Sequence, residues 1–319
     1  MKKMLCSILV IFVLWFAIDR AGGAAMQWVT WHTHERFSQK ICKIVSDVDA
    51  DILLLGSSRC ENHYVPSIIR DSTGMSVYNA GISASGSIYF QYVTLAHVLR
   101  YHTPKIVVLD TGESEYADND LRLDILTFYA PHIGLCAEAD SVFEWLGTLG
   151  RYRFSHLYRY HSLSNVALAR LFMTDDTPDE DGYTPIACPP AFPDDLGDVQ
   201  QPLPCVDQKI ATFRRFIQLC HRHHIQLVLS ISPSYSLLDE HYYDALKTIA
   251  KEEQLPLLDY DTPGLYFDQP ELFYDNAHLW GKGSRLFSAR FAHDLKRFIL
   301  KSGEKDVAPR GTESEKTTE

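Results

Sequence analysis

The chain has 319 residues, of which 46% are hydrophobic and 12% aromatic. This apolar content is enough for a large core, and it excludes a wholly disordered or fibrous chain. Thirty Lys and Arg residues against 41 Asp and Glu residues give a formal net charge of −11. Because an acidic surface repels phosphate backbones, we expect no nucleic-acid partner. The length allows one or two domains.

The seven cysteines contain no C-x-x-C pair, so the sequence indicates neither a zinc ribbon nor a thioredoxin-type site. Cys188 and Cys205 flank a Pro-rich stretch. They are compatible either with a disulfide in an oxidising compartment or with two free thiols.

Two lysines precede an unbroken apolar run from Met4 to Ile18. Fifteen residues are short for a hydrocarbon layer of about 30 Å, which favours a signal peptide with the small residues Gly22 to Ala25 at its cleavage site. Asp19 and Arg20 argue against cleavage there, so we favour an uncleaved signal anchor within residues 1–28. The positive-inside rule then places the lysines in the cytoplasm and the rest of the chain across the membrane.

Short apolar runs, each ending in polar or glycine residues, follow along the chain. Such runs are typical of strands that are buried on both faces of a parallel sheet. The predicted strands are Ile52–Leu55, Ser76–Tyr78, Lys105–Leu109, Gln226–Ile231 and Pro256–Leu258. The predicted helices are Trp31–Val48, Pro66–Asp71, Ile88–Tyr101, Gln208–His223, Leu238–Glu253 and Ser284–Leu300. We therefore predict an α/β domain over residues 29–300, a three-layer α/β/α doubly wound parallel sheet.

Two stretches lie outside this alternation. Residues 113–204 interrupt it and are too long for a loop, so we predict a helical cap insertion. Residues 301–319 contain almost nothing apolar, and we predict a disordered tail.

Polar residues follow several predicted strands, at the sheet edge where ligands collect in open parallel sheets. Ser58 follows the first strand and Gly81 the second, while Asp275 and His278 form an Asp-x-x-His pattern after the last. Taken singly, these residues are also typical of a helix cap, a turn and a packed surface histidine. Their coincidence in chain order favours a serine nucleophile with a carboxylate-oriented imidazole as its base.

With these motifs in this order, the sequence resembles the SGNH, or GDSL-like, hydrolase superfamily, whose α/β/α core is flavodoxin-like. Gly56-Ser57-Ser58 stands in place of the family's Gly-Asp-Ser block, and the other two motifs match its second and fifth blocks. The resemblance implies Ser58, Asp275 and His278 as a catalytic triad. It implies an oxyanion hole formed by the backbone N–H groups of Ser58 and Gly81.

The third block departs from the family. The family has Gly-x-Asn-Asp there and this chain has Gly112-Glu-Ser-Glu115, so Ser114 stands where an Asn would supply a third oxyanion donor. The resemblance covers roughly residues 50–112 and 206–298, and leaves out the cap.

Gly-Ser-Ser together with an N-terminal membrane segment looks most like envelope members, such as the D-alanyl transfer protein and polysaccharide O-acetyl transferases or esterases. This implies a serine esterase or O-acyltransferase that acts on acyl groups of a cell-surface glycan. We expect it in the bacterial inner membrane as a single-pass protein, with the globular domain on the periplasmic or extracellular side. No cofactor and no metal is expected, and an envelope-assembly protein is a further candidate partner.

Two alternatives stay open at this point. The first is a catalytically inactive binding or assembly module with the same fold. The second is a small-molecule or lipid esterase.

Overall fold

A computed structural model describes residues 1–118, 123–162, 168, 171, 181–262, 265–266 and 268–307. The strands are β1 (Ile52–Leu55), β2 (Val77–Asn79), β3 (Ile106–Asp110), β4 (Gln226–Ile231) and β5 (Leu257–Asp259). The helices are α1 (Lys2–His32), α2 (Arg36–Ser46), α3 (Ser58–His63), α4 (Pro66–Thr73), α5 (Ile88–Val98), α6 (Ala137–Trp145), α7 (Leu149–Phe154), α8 (Asp207–Arg222), α9 (Asp244–Glu252) and α10 (Gly281–Val307). Short 3₁₀ helices cover Glu113–Glu115, Asp124–His132, Leu157–Tyr160 and Pro270–Leu272.

The strands form one five-stranded parallel sheet in the order β2-β1-β3-β4-β5. Every strand is followed by a helix, and short apolar strands of this kind need helices on both faces to bury them. The predicted α/β doubly wound fold is therefore confirmed.

Side chains of successive strand residues enter two separate cores. Leu53 and Leu55 pack with α2, α5 and α8, whereas Ile52 and Leu54 pack with α3, α4 and α10. All four side chains are fully buried, as the alternation of Cβ directions along a strand requires. The sheet is thus the middle of three layers.

The element bounds differ from prediction in two informative places. β2 and β3 end one residue later than predicted, at Asn79 and Asp110, because the backbones of both residues pair with the neighbouring strand and their polar side chains are buried. The predicted helix Leu238–Glu253 begins only at Asp244, since a turn closed by Tyr242 N–H on Asp239 O precedes it.

The insertion contributes to the core rather than standing apart from it. Its helices pack against α1, α2 and α5, and its Tyr129 and Phe143 belong to the core on that face. A later part of the insertion reaches β2, the edge strand of the sheet, where the Asn79 N–H donates to Asp181 O at 2.8 Å. The Cys188 and Cys205 thiols are both free.

The two chain ends are helical where the structure describes them. α1 is one continuous helix from Lys2 to His32, with a hydropathy typical of a membrane span. α10 continues to Val307, inside the segment 301–319 that was predicted to be a disordered tail. Residues 308–319 lie outside the described residues.

Candidate active site

The turn after β1 places Ser58 at the start of a helix. Gly56 has φ of 153°, and a Cβ on it would lie 2.7 Å from the backbone oxygen of Asp110. A side chain at this position would therefore collide with the end of β3. Glycine lets the chain turn close to the sheet, so that α3 begins at Ser58 directly above the strand ends.

Ser58 precedes the Asp-x-x-His motif by 217 positions in sequence, yet Ser58, His278 and Asp275 lie in one hydrogen-bonded chain. Ser58 Oγ is 2.8 Å from His278 Nε2. His278 Nδ1 lies 2.9 and 3.0 Å from the two carboxylate oxygens of Asp275. This is the arrangement that orients an imidazole to accept a proton from a serine hydroxyl.

The Asp275 carboxylate is held in its charged form. Burial alone would raise its pKa, but hydrogen bonds from the His278 ring and from the Ala277 and His278 amides lower it below its usual value. An ionised Asp275 fixes the imidazole with a proton on Nδ1 and leaves Nε2 to face Ser58.

A second histidine supports the loop that carries His278. The Leu279 N–H donates to His63 Nε2 at 2.9 Å, so that ring nitrogen must be unprotonated. His63 is completely buried, and burial lowers its pKa well below the usual value. The Tyr274 N–H closes the loop by donating to the His278 carbonyl at 2.7 Å.

The structure gives the two predicted oxyanion donors different surroundings. Ser58 occupies the first turn of α3, where amides have no helical acceptor. The Gly81 N–H, in contrast, donates to Asn79 Oδ1 at 2.9 Å. In the same loop Ala84 has φ of 64°, which is unusual for a residue with a Cβ. Within the described part of the chain the Ala84 N–H has no hydrogen-bond partner.

A buried ion pair holds this loop against α3. Glu61 accepts from the Ser83 N–H at 2.8 Å and from Ser83 Oγ at 2.6 Å, and Lys40 Nζ lies 3.5 Å from it. The Lys40 ammonium also donates to the carbonyls of Gly81 and Gly182. Burial favours the neutral form of Glu61, but Lys40 and the Ser83 hydrogen bonds outweigh that and lower its pKa. Helix α2, which follows α1, is thereby connected to the loop beside Ser58.

Arg59 links the ends of the central strands. Its guanidinium donates to Ser232 O at 3.1 Å and lies 3.7 Å from Asp261. Burial works against the charge of Arg59. The neighbouring Tyr243, Asp110 and Asp261 outweigh burial and raise the pKa of the guanidinium. Because buried charges need such partners, the residue after Ser58 is fixed in place.

Ser58 and His278 open into a cavity of about 420 Å³. Ser114, the residue in place of the family's Asn, lines this cavity, as do Glu113 and Glu115. Burial raises the pKa of Glu113. The other lining residues include Ser57, Arg59, Gln200, Leu203, Tyr242 and Tyr243. A cavity of this size and mixed lining is typical of small-molecule sites.

No protein-family model and no curated protein matches the sequence. Among solved structures the chain is similar to a lipolytic protein of the G-D-S-L family from Desulfitobacterium hafniense, at 11% identity and a TM-score of 0.39 over 76% of this chain and 98% of that one. It is similar to an acetyl xylan esterase at 14% identity and a TM-score of 0.38, over 76% of this chain and 99% of that one. A GDSL-like lipase from Bacteroides thetaiotaomicron has 11% identity and a TM-score of 0.36, over 85% of this chain and 98% of that one.

Proposed function

We propose that this protein is a membrane-anchored serine esterase or O-acyltransferase that acts on acyl groups of a cell-surface glycan. The observation that carries the proposal is the chain of hydrogen bonds from Ser58 Oγ through His278 to Asp275. The cavity at Ser58 supports it, because the nucleophile is open to a small acyl group.

In the proposed reaction Ser58 Oγ attacks the ester carbonyl carbon while His278 Nε2 takes the hydroxyl proton. The tetrahedral intermediate then collapses, the leaving alkoxide takes that proton from His278, and an acyl-Ser58 ester remains. Water or a sugar hydroxyl next gives its proton to His278 and attacks the acyl carbon; the bond from that carbon to Ser58 Oγ then breaks, and Oγ takes the proton from His278. Water as the second nucleophile gives hydrolysis, and a sugar hydroxyl gives transfer.

The negatively charged oxygen of the tetrahedral intermediate requires hydrogen-bond donors. We assign one to the Ser58 N–H and expect the second from the loop of residues 81–84. Gly81 can serve only if its bond to Asn79 opens, whereas the Ala84 amide needs no such change. One oxyanion donor is typically worth about 2.7–4 kcal/mol of transition-state stabilisation, so this loop decides much of the rate.

The anchor is α1. Its residues from Met4 to Ile18 are largely exposed and apolar, and two lysines precede them. We propose that this part crosses the bacterial inner membrane once and leaves the site on the periplasmic or extracellular side. An acylated glycan at that surface is the proposed substrate, with an envelope-assembly protein as a candidate partner.

The test is turnover of p-nitrophenyl acetate by the full chain in detergent. Ser58→Ala and His278→Ala should each remove turnover, and Asp275→Asn should lower it at least tenfold because the imidazole loses its orienting charge. The matched controls are Ser141→Ala and His241→Ala, because neither side chain lines the cavity and that of His241 is exposed. His241 is a good match because its ring also contacts an aspartate three residues on, Asp244, at 2.8 Å.

Turnover that survives both Ser58→Ala and His278→Ala would contradict the mechanism. No turnover by the unmodified chain, and no labelling of Ser58 by a fluorophosphonate probe, would favour the inactive binding module. If the enzyme is active, a panel of acetylated sugars, free small esters and phospholipids distinguishes the glycan enzyme from a small-molecule or lipid esterase. Adding a sugar acceptor and following its acylation separates transfer from hydrolysis.

A further inference from the structure

The second half of α1 is packed against the globular domain. Met26, Val29 and Thr30 are buried, and Met26 and Val29 form a small core with Tyr160 of the insertion. A Cβ on Gly23 would lie 2.6 Å from the His156 side chain. Small residues in this part of α1 therefore allow the insertion to approach the helix closely, which is a structural role separate from peptidase cleavage.

A charged residue at the end of the apolar run is hidden by the same contact. Asp19 is only 4% exposed, although it follows fifteen apolar residues. Its carboxylate accepts from the Ser155 hydroxyl and from the backbone N–H groups of His156 and Leu157, at 2.9 and 3.2 Å. Arg20 pairs with it at 3.1 Å and also donates to the Phe154 carbonyl. The insertion thus covers the carboxylate that would otherwise end the apolar surface of α1.

The apolar run is too short to cross a bilayer alone. Fifteen residues rise about 22 Å, which leaves roughly 8 Å of a 30 Å hydrocarbon layer without an apolar helix surface. The next five residues, 19–23, would fill that length, and they are the residues on which the insertion packs.

Apolar side chains of the insertion lie beside the end of the apolar run of α1. Phe154 is 62% exposed and Leu157 is 42% exposed. The Phe154 ring packs on Trp15 of α1, with 5.4 Å between ring centroids, so it shares the depth of that tryptophan. Tyr158 adds a second exposed aromatic side chain of the insertion. Aromatic residues with apolar neighbours are typical of the interface between lipid and water.

We propose that Phe154–Tyr158 is a second membrane-contacting element. It lies in the bilayer interface beside α1, and its exposed side chains contact lipid. This inference rests on the anchoring role proposed for α1. Lipid is favoured because the surface is continuous with the apolar run through the Trp15 contact, and because the segment hydrogen-bonds the Asp19 carboxylate where the run ends. The exposed Arg151 and Arg153 precede the segment and suit anionic headgroups.

The test uses fluorescence quenching on the full chain in vesicles of phosphatidylcholine with a minority of phosphatidylglycerol. A nitrobenzoxadiazole label is attached at one reactive cysteine in each of three proteins. Two use native exposed residues, Cys6 in the apolar run and Cys188 on the globular domain, as the lipid and water references. The third carries Phe154→Cys, with Cys6, Cys188 and Cys205 changed to Ser. Tyr158→Cys replaces it if Phe154→Cys does not fold.

We expect doxyl lipids to quench the label at position 154 and iodide to quench it weakly, as for Cys6 and opposite to Cys188. A label at 154 that is quenched like Cys188, while Cys6 remains in lipid, would overturn the proposal and leave the anchor intact. The exposed surface would then be left for a protein partner. Loss of lipid quenching at Cys6 itself would overturn the anchoring role, and the membrane contact with it.

Discussion

The ion pair between Lys40 and Glu61 offers a direct test of how the site is held together. We predict that Lys40→Met destabilises the protein and lowers turnover, because it leaves the buried carboxylate of Glu61 without its cation. The side chains are 8% and 7% exposed, so water cannot replace the lost partner. Removing one partner of a buried pair typically costs about 3–5 kcal/mol.

The two carbonyls that Lys40 contacts add to this cost. Gly182 O lies 2.8 Å from the ammonium, and Gly81 O accepts from it as well. Glu61→Gln should be destabilising by a comparable amount. The double variant Lys40→Met with Glu61→Gln should lose less than the sum of the two, by about 1–3 kcal/mol, because neither charge is then left alone.

Thermal unfolding followed by tryptophan fluorescence measures the loss of stability. A loss of about 3 kcal/mol should lower Tm by roughly 6 °C or more in a domain of this size. Turnover per folded molecule measures the effect of Lys40→Met on activity. Since the pair holds the loop of Gly81 and Ala84, which we propose to stabilise the transition state, kcat should fall while KM changes little.

Lys105→Met is the matched control. Lys105 also pairs with a carboxylate, Asp51 at 2.8 Å, but its side chain is 70% exposed. Exposed pairs are worth about 1 kcal/mol or less, so stability and turnover should stay close to wild type. Lys40→Met within 1 kcal/mol of wild type, or independent effects of the two variants, would refute the energetic reasoning. An unchanged kcat per folded molecule would refute the link to the loop.

Two further predictions concern stability. Burial lowers the pKa of His97 to about 3 and that of His132 to about 4, whereas the unfolded chain binds these protons near pH 6.5, so stability should fall from pH 6.5 towards 4. Each ring contributes about 2 kcal/mol of this loss at pH 5. In urea unfolding, the free energy of unfolding of His97→Gln should therefore differ less between pH 7 and pH 5 than that of the wild type, by about 2 kcal/mol. An unchanged difference would contradict the assignment. Gly56→Ala should destabilise by about 1–3 kcal/mol and reduce turnover, because its Cβ would lie 2.7 Å from Asp110 O. Gly150→Ala, with open space in α7, should be neutral or stabilising by up to about 1 kcal/mol, and equal effects of the two variants in urea unfolding would argue against the steric explanation.

The sheet could be predicted from sequence because its strands are apolar throughout. The predicted and observed bounds of β1 and β4 agree, at Ile52–Leu55 and Gln226–Ile231. The strand ends at Asn79 and Asp110 were missed because a polar residue after an apolar run looks like a loop. In the fold both side chains are buried by partners from other elements, such as Tyr64 and Ser232 on Asp110. Such partners are not visible in local sequence.

The candidate site was predictable to the extent that it is carried by short motifs. Ser58, Asp275 and His278 stand in recognisable patterns, and the fold brings them within hydrogen-bond distance. The supporting residues have no such pattern. Lys40 reads as one more charge on a solvated helix face, and His63 as an ordinary histidine, because their roles depend on contacts with residues far along the chain.

The connection between α1 and α2 determines how far this site can reach. Only residues 33–35 separate the two helices, and Glu35 caps α2 by accepting from the Phe37 and Ser38 N–H groups. An enzyme on a long flexible tether samples a wide shell and meets distant substrates at an effective concentration set by its linker. The three-residue connection between α1 and α2 is too short to act as such a flexible linker. With α1 as the proposed anchor, the proposed glycan substrate would have to be delivered to the membrane surface, which makes the supply of substrate a separate task from the chemistry.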